Sequence, residues 1–201
     1  MDTNRPANTG PIYYGNLSEA ELVSFFQSQY PGSATGCGPF SIAMAANLCN
    51  RNQQGSNFLG TDVQAILERK CLKLLGFGMP TWLNYGRALE SFAHRPVEHK
   101  RKASIDDLEQ AISINKIVIV ALAWQTTWEI LRDLRHATVG HYMVAVGFDK
   151  QRGVLIFLNP GLDLKDGTSH LYSMTFLEFN SFWNKKSNLF VQAGTMWMIS
   201  P

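Results

Sequence analysis

The spacing of hydrophobic residues changes between the first and second halves of the chain. Up to about residue 115, apolar positions recur every three or four residues, which is the period of a helix packed on one face. From residue 117 onward, short runs rich in β-branched and aromatic side chains are bounded by turn residues, which is typical of strands. Helices followed by strands predict an α+β fold with a helical lobe packed on an antiparallel sheet lobe.

The front half is predicted to be helical. A capping box of Ser18 and Glu21 opens the first helix, which should end at the Pro31-Gly32 turn. The second helix starts at Cys37 and continues to Asn50, so that Cys37 lies at a helix N-terminus. Further helices are predicted over 61–75, 80–93 and 104–113.

The back half is predicted to be a sheet, and its strands are expected over 117–124, 141–148, 154–158, 171–176 and 195–199. Gly153 separates the second and third strands and marks a tight hairpin turn. This hairpin places His141 and Asn159 at neighbouring strand ends. A site at the seam would take a nucleophile from the helical lobe and a base from the sheet lobe.

The length of 201 residues, 45% of them hydrophobic, is sufficient for one folded domain with its own core. We expect residues 1–17 to form an N-terminal extension and residues 18–201 to form a single domain. Within that domain, the helical lobe covers about 18–115 and the sheet lobe about 116–201.

Charge and hydropathy bear on several classes of partner. The 18 Lys and Arg nearly balance 16 Asp and Glu, so no nucleic-acid partner is expected. The longest apolar run, 117–124, is too short to insert in a membrane, and no apolar signal region follows the polar N-terminus. The protein is therefore expected to be cytoplasmic or to be exported or injected by a non-classical route. The basic run 99–102 is interpreted as a solvated loop or, alternatively, as a docking site for an acidic partner.

Three cysteines form neither a disulfide framework nor a zinc motif, and at least one thiol must lack an intrachain partner. Cys37 has the best context for reactivity, because a helix N-terminus lowers a thiol pKa. Gly36 and Gly38 allow a sharp turn and leave room for a substrate carbonyl. Cys49 and Cys71 lie within helical patterns and are interpreted as core residues.

Three segments carry a family resemblance: GCGPFSIAMAANL around Cys37, GHYMVAVGFD around His141, and LNPG around Asn159. In this order they resemble the bacteriocin-processing, double-glycine cysteine peptidases and their stand-alone relatives in the papain-like superfamily. The resemblance covers about residues 22–50 and 138–162, whereas the stretch 51–137 matches no family.

The resemblance implies a papain-like fold, no cofactor, and a set of catalytic roles. Cys37 would be the nucleophile, His141 its base, and Asn159 the residue that orients the imidazole. Members linked to transporters usually carry Asp where Asn159 stands, but an amide oxygen can also accept from the imidazole N–H. A glutamine before the cysteine supplies an oxyanion donor in this group, and QYPGSATGC places Gln29 in that role, with Gln27 as the fallback.

The predicted function is therefore hydrolysis of peptide bonds in a protein or peptide substrate through a covalent thioester. A small stand-alone enzyme of this kind could be a bacterial effector or toxin, with an inhibitor or immunity protein as a further partner. Two alternatives stay open: an amidase or glutamine deamidase acting on peptidoglycan or protein, and a catalytically silent binding module. No metal-binding motif is present in the sequence. Trp183 is a weaker candidate for an aromatic neighbour of His141.

Overall fold

Seven strands and six helices are found in the computed structural model, which describes residues 10–29, 36–52, 85–132, 140–162 and 170–200. The helices are α1 (Glu19–Val23), α2 (Cys37–Asn50), α3 (Tyr85–Ala93), α4 (Ile105–Ser113), α5 (Thr127–Arg132) and α6 (Phe176–Trp183). The strands are β1 (Ile12–Tyr13), β2 (Val97–Lys100), β3 (Ile117–Leu122), β4 (His141–Asp149), β5 (Val154–Leu158), β6 (Leu171–Thr175) and β7 (Met196–Ile199).

The strands form one antiparallel sheet in the order β2-β7-β3-β4-β5-β6, and β1 adds a short pairing with β4. The predicted hairpin between β4 and β5 is present, with Gly153 in the left-handed region at φ 62°. Asp149 accepts hydrogen bonds from the backbone of Gln151 and Arg152 and thereby closes the turn. The predicted mixture of helices and antiparallel sheet is confirmed.

Both faces of the sheet are buried, which explains why its central strands read as continuous apolar runs rather than as an alternation. Ile119 and Val144 face α2 and α3 on one side, and Val120 and Met143 face α4 and α6 on the other. Helix α2 is enclosed on all sides, since every residue over 38–49 is buried. A helix of this kind belongs to the core, and its N-terminus is therefore held firmly against one end of the sheet.

The predicted capping boxes at Ser18 and Ser104 are present, each with the reciprocal pair of hydrogen bonds. Helix α1, however, ends at Val23 rather than near residue 31. Beyond it, the backbone N–H groups of Gln27 and Gln29 bind Met44 and Pro160, so that tertiary partners replace the helical carbonyls. The predicted helix over 61–75 lies outside the described residues.

Strands β1 and β2 and helices α5 and α6 go beyond the sequence prediction. The basic run predicted as a loop contributes to β2, an edge strand that pairs with β7 and has three of its four residues exposed. Edge strands tolerate such charged side chains because one side faces solvent. Helices α5 and α6 are preceded by Thr126 and Thr175, whose hydroxyls cap them by accepting from the N–H groups of Glu129 and Glu178.

Among the described residues, no helix combines the length and the apolar character needed to cross a membrane.

Candidate active site

Three predicted site residues meet at one end of the sheet. Cys37 is the first residue of α2, His141 the first residue of β4, and Asn159 follows the last residue of β5. The register pairs Leu158 with Val144, which brings the end of β5 beside the start of β4. Helix α2 packs across this part of the sheet, so that its N-terminus reaches the same place.

Cys37 is half-buried, and its thiol is hydrogen-bonded to the imidazole of His141. Burial alone would raise the pKa of Cys37. The hydrogen bond and the charge of His141 oppose that effect, and the backbone N–H groups of Tyr142 and Gly38 donate to the sulfur as well. Together these interactions lower the pKa of Cys37, as expected for a thiol beside an imidazole and a helix N-terminus.

Asn159 holds the imidazole from the other side. Its Oδ1 lies 2.6 Å from Nε2 of His141 and also accepts from the Gly161 N–H at 2.9 Å. Because the Gly161 N–H can only donate, the oxygen of the Asn159 amide must point toward His141. Nε2 therefore carries the proton in this bond, and Nδ1 is the nitrogen that interacts with Cys37.

Gly161 is needed at this position for a steric reason. A Cβ atom there would lie 3.1 Å from Cε1 of His141 and 3.2 Å from Oδ1 of Asn159, both closer than ordinary van der Waals contact. The backbone of the LNPG turn consequently covers the edge of the imidazole while donating to Asn159. The lack of a side chain at Gly161 therefore lets the turn approach both His141 and Asn159 closely.

The pKa of His141 is shifted in the opposite direction from that of Cys37. Burial alone would lower the pKa of His141, but the hydrogen bond and charge of Cys37, and the hydrogen bond that His141 donates to Asn159, raise it. A depressed thiol pKa and an elevated imidazole pKa widen the pH interval in which a thiolate and an imidazolium coexist. The pair can then act as nucleophile and proton donor near neutral pH.

No side chain caps the N-terminus of α2, where the Cys37 thiol lies. Gly36 occupies the N-cap position, makes no side-chain capping hydrogen bond, and no acidic residue lies in the first turn. The first amides of a helix lack intrahelical partners, and Pro39 contributes no N–H. The Cys37 N–H therefore lies in a region of partial positive charge, which suits a developing oxyanion.

Gln29 and Gln27 are both buried but are held by different parts of the molecule. The Gln29 N–H donates to the carbonyl of Pro160 at 2.9 Å, which places Gln29 beside the turn that carries Asn159. The Gln27 N–H instead contacts the sulfur of Met44 at 3.3 Å. Met44 lies seven residues into α2, about 10 Å along the helix from Cys37. This arrangement favours Gln29 over Gln27 as a neighbour of the thiol.

Among the described residues, Oε1 of Gln29 makes no hydrogen bond, and the same holds for Oε1 of Gln27, so this feature does not separate the two glutamines. A buried polar atom without a partner is uncommon in folded proteins and is often found at functional sites. Ser28, next to it, donates through its hydroxyl to the carbonyl of Leu162 at 2.8 Å. Residues 28 and 29 are thus tied by two hydrogen bonds to the LNPG turn and to Leu162, the residue that follows it.

The aromatic neighbour of His141 is Trp124, not Trp183. Trp124 follows β3, and its ring centre lies 6.2 Å from that of His141. Trp183 is fully buried in the core, where its indole N–H donates to the carbonyl of Thr195. The pairing of Leu122 with His141 in the sheet explains the position of Trp124, which no sequence motif indicates.

The described ranges contain no group of three or more His, Cys, Asp or Glu residues able to hold a metal ion.

The shifted thiol pKa values lead to a first prediction. Iodoacetamide should alkylate Cys37 at least about tenfold faster than Cys49 near pH 6.5, because alkylation requires the thiolate. The pKa of Cys37 is lowered, whereas burial raises the pKa of Cys49. Mass spectrometry of the separate cysteine peptides after timed labelling would measure both rates in one sample. Equal rates at the two cysteines across the pH range would contradict the assignment.

The chain resembles known proteins both in sequence and in fold. The model of the Peptidase_C39 like family matches residues 21–190, a range that includes all four predicted site residues. No curated protein matches the sequence at a significant level.

Solved structures also resemble this chain. One is the crystal structure of a protein assigned as a C39-like peptidase from Bacillus anthracis, with a TM-score of 0.65 and 14% sequence identity over 96% of this chain and 98% of that one. This likeness shows the fold, and the predicted papain-like α+β class is confirmed. A weaker match, with a TM-score of 0.41 and 10% identity, is to xylellain, a cysteine protease from Xylella fastidiosa; it covers 94% of this chain and 91% of that one.

Proposed function

Because this chain belongs to the Peptidase_C39 like family, it is a cysteine peptidase, and we propose that it hydrolyses peptide bonds through Cys37, His141 and Asn159. The observation that carries the proposal is the pair of contacts to Asn159 Oδ1, at 2.6 Å from His141 and 2.9 Å from the Gly161 N–H. These contacts turn the free nitrogen of the imidazole toward Cys37. The nucleophile, base and orienting group thus stand in a continuous chain.

In the first half of the proposed reaction, the Cys37 thiolate attacks the carbonyl carbon of the scissile bond. The carbonyl electrons move to oxygen and form a tetrahedral oxyanion. The imidazolium of His141 then gives its proton to the leaving nitrogen, the C–N bond breaks, and the carbonyl re-forms as a thioester with Cys37. The amine product leaves, and His141 is neutral.

In the second half, a water molecule replaces the amine. His141 takes a proton from this water as the oxygen attacks the thioester carbonyl. The C–S bond then breaks and releases the carboxylic acid product. The departing thiolate faces the newly formed imidazolium, which restores the starting pair. Both steps use the same imidazole nitrogen, so the orientation held by Asn159 serves each of them.

The proposed oxyanion donors are the Cys37 N–H and the side-chain amide of Gln29. The uncapped N-terminus of α2 supports the first assignment. The hydrogen bond from Gln29 to the Pro160 carbonyl supports the second, because it holds Gln29 close to the triad. Fixed donors of this kind stabilise the transition state without reorganisation during the reaction.

Protein and peptide substrates follow from the family, whereas the narrower parts of the sequence prediction stay predictions. These are the effector or toxin role, the inhibitor or immunity partner, and the amidase or deamidase alternatives. Peptide-bond cleavage agrees better with the family of the chain than amidase or deamidase activity does.

The proposed function can be tested with a bacterial lysate as a peptide source. The wild-type protein should generate new N-termini that are absent after incubation with Cys37→Ala, and mass spectrometry would map them. Cys49→Ala is the matched control, because Cys49 is buried at the other end of α2 and its loss removes no proposed catalytic group. Deamidated glutamines without new N-termini would instead favour a deamidase, and identical peptide maps for all three proteins would refute the hydrolase mechanism.

A further inference from the structure

Helix α5 exposes two large apolar side chains to solvent. Trp128 is 79% exposed and Leu131 is 54% exposed. They lie three residues apart, so their side chains are neighbours on one face of the helix. Together with Arg132 they line a cavity of about 320 Å³, which is within the size range of ligand pockets. Adjacent exposed apolar side chains of this size mark a binding surface more often than isolated ones do.

This surface lies a short distance along the chain from the candidate active site. Trp124, whose ring lies beside that of His141, is only four residues from Trp128. Four residues span at most about 14 Å even when fully extended. The capping pair of Thr126 and Glu129 then fixes the start of α5, with the Glu129 carboxylate 2.6 Å from the Thr126 N–H.

Two hydrogen bonds from distant side chains hold the connection between Trp124 and α5. Lys186 donates to the carbonyl of Trp124 at 2.9 Å, and the side chain of Asn188 donates to the carbonyl of Gln125 at 2.7 Å. On the buried side of α5, Ile130 packs into the core formed with α2. Helix α5 is therefore anchored both through the segment that precedes it and through its buried side.

The reaction chemistry determines which part of a substrate would reach this surface. The leaving amine must lie within hydrogen-bond distance of His141, because the imidazolium gives it a proton. The residues that follow the scissile bond therefore leave the site past the imidazole, whereas the acyl residues stay with Cys37. Trp124 and α5 lie on the imidazole side, where β3 ends next to β4.

We infer that the α5 surface of Trp128, Leu131 and Arg132 binds a large apolar side chain on the leaving-group side of the peptide substrate, and this inference rests on the proposed peptidase function. An extended peptide advances about 3.3 Å per residue. The bound side chain consequently belongs roughly two to four residues beyond the scissile bond.

Arg132 adds a charge preference to the same surface. Within the described part of the chain it forms no salt bridge, and it borders the cavity. An acidic residue next to the apolar side chain would meet its guanidinium. Since the pair would be exposed to solvent, we expect only a two- to fivefold preference for Asp over Asn, roughly the range of a surface ion pair.

The inference is tested with fluorogenic peptides built on a cleavage site mapped as described above. In these peptides the second, third and fourth residues after the scissile bond are changed one at a time between Leu and Ala. For the wild type, kcat/KM should favour Leu by about tenfold at one of these positions, since burial of the extra carbon atoms is worth that much. In Trp128→Ser and in Leu131→Ser this ratio should fall below about threefold.

Leu177→Ser is the matched control, since Leu177 is 77% exposed but lies near the start of α6, at the opposite end of the sheet. It should keep the wild-type ratio, and melting temperatures would verify that all variants are folded. A Leu to Ala ratio near one in the wild type, or one that survives in both serine variants, would overturn the inference alone. If the wild type cleaves no peptide in a Cys37-dependent manner, the proposed function fails and the inference fails with it.

Discussion

His141→Ala should lower the turnover of a peptide substrate by roughly 10⁵–10⁶-fold, the loss seen when one member of a cooperating catalytic set is removed. Two functions disappear together. The thiolate of Cys37 loses the hydrogen bond and the charge that lower its pKa, and the leaving amine loses its proton donor. Steady-state kcat measured against the wild type is the primary measurement.

The same variant should also change the reactivity of the thiol. Without His141, burial of Cys37 is opposed only by the two backbone hydrogen bonds, so the pKa of the thiol rises. The pH at which iodoacetamide labelling reaches half its maximal rate should therefore move upward. An unchanged labelling profile together with unchanged turnover would exclude His141 as the base.

A matched control for this experiment is His94→Asn. His94 is exposed, it follows α3, and its positive φ of 54° is one that Asn adopts readily. Cys49, near the C-terminal end of α2, contacts the neighbouring Ala93. His94 therefore lies beside the end of α2 that is opposite to Cys37. Wild-type turnover is expected for this variant.

Gln29→Ala should reduce turnover by about 10²–10³-fold, which corresponds to about 2.7–4 kcal/mol of lost oxyanion stabilisation. Folding should be little affected, because the backbone hydrogen bond from Gln29 to Pro160 is retained in alanine. Kinetic assays with melting temperatures of the same preparations would separate the two effects. A loss of stability that accounts for the lost activity would argue against a direct role in catalysis.

Gln27→Ala provides the comparison that makes the Gln29 result specific. Gln27 is also buried, and its backbone contact to Met44 would survive the substitution. The turnover of the Gln27→Ala variant should be close to that of the wild type. If Gln27→Ala were the slow variant and Gln29→Ala were silent, the oxyanion donor would be Gln27, while the proposed roles of Cys37 and His141 would be unaffected.

Local sequence signals predicted much of the fold. The boxes at Ser18 and Ser104 act within one helical turn, so the residues that make these caps are adjacent in sequence. Helix α2 begins at Cys37 as predicted, and the β4–β5 hairpin turns at Gly153. The predicted resemblance to a group of papain-like cysteine peptidases is confirmed as well.

Elements without a clear hydrophobic period were missed. Strand β2 has a single apolar residue, Val97, and exists because β7 offers a ladder of hydrogen bonds. Helices α5 and α6 are short, but each has a Thr followed three residues later by Glu. That spacing at Thr126 and Thr175 is a capping signal that could have located both helices.

The sequence alone determined which residue types are available for the chemistry and the order in which they occur along the chain. Cys37 at a helix start, and His141 and Asn159 at adjacent strand ends, follow from local patterns and one hairpin. Only the tertiary structure decided that Gln29 lies at the Pro160 turn, and that Trp124 rather than Trp183 adjoins His141. The first choice depends on a hydrogen bond between residues more than 100 positions apart. The second depends on strand register and on a ring contact between residues 17 positions apart. Such contacts leave no periodic trace in the sequence.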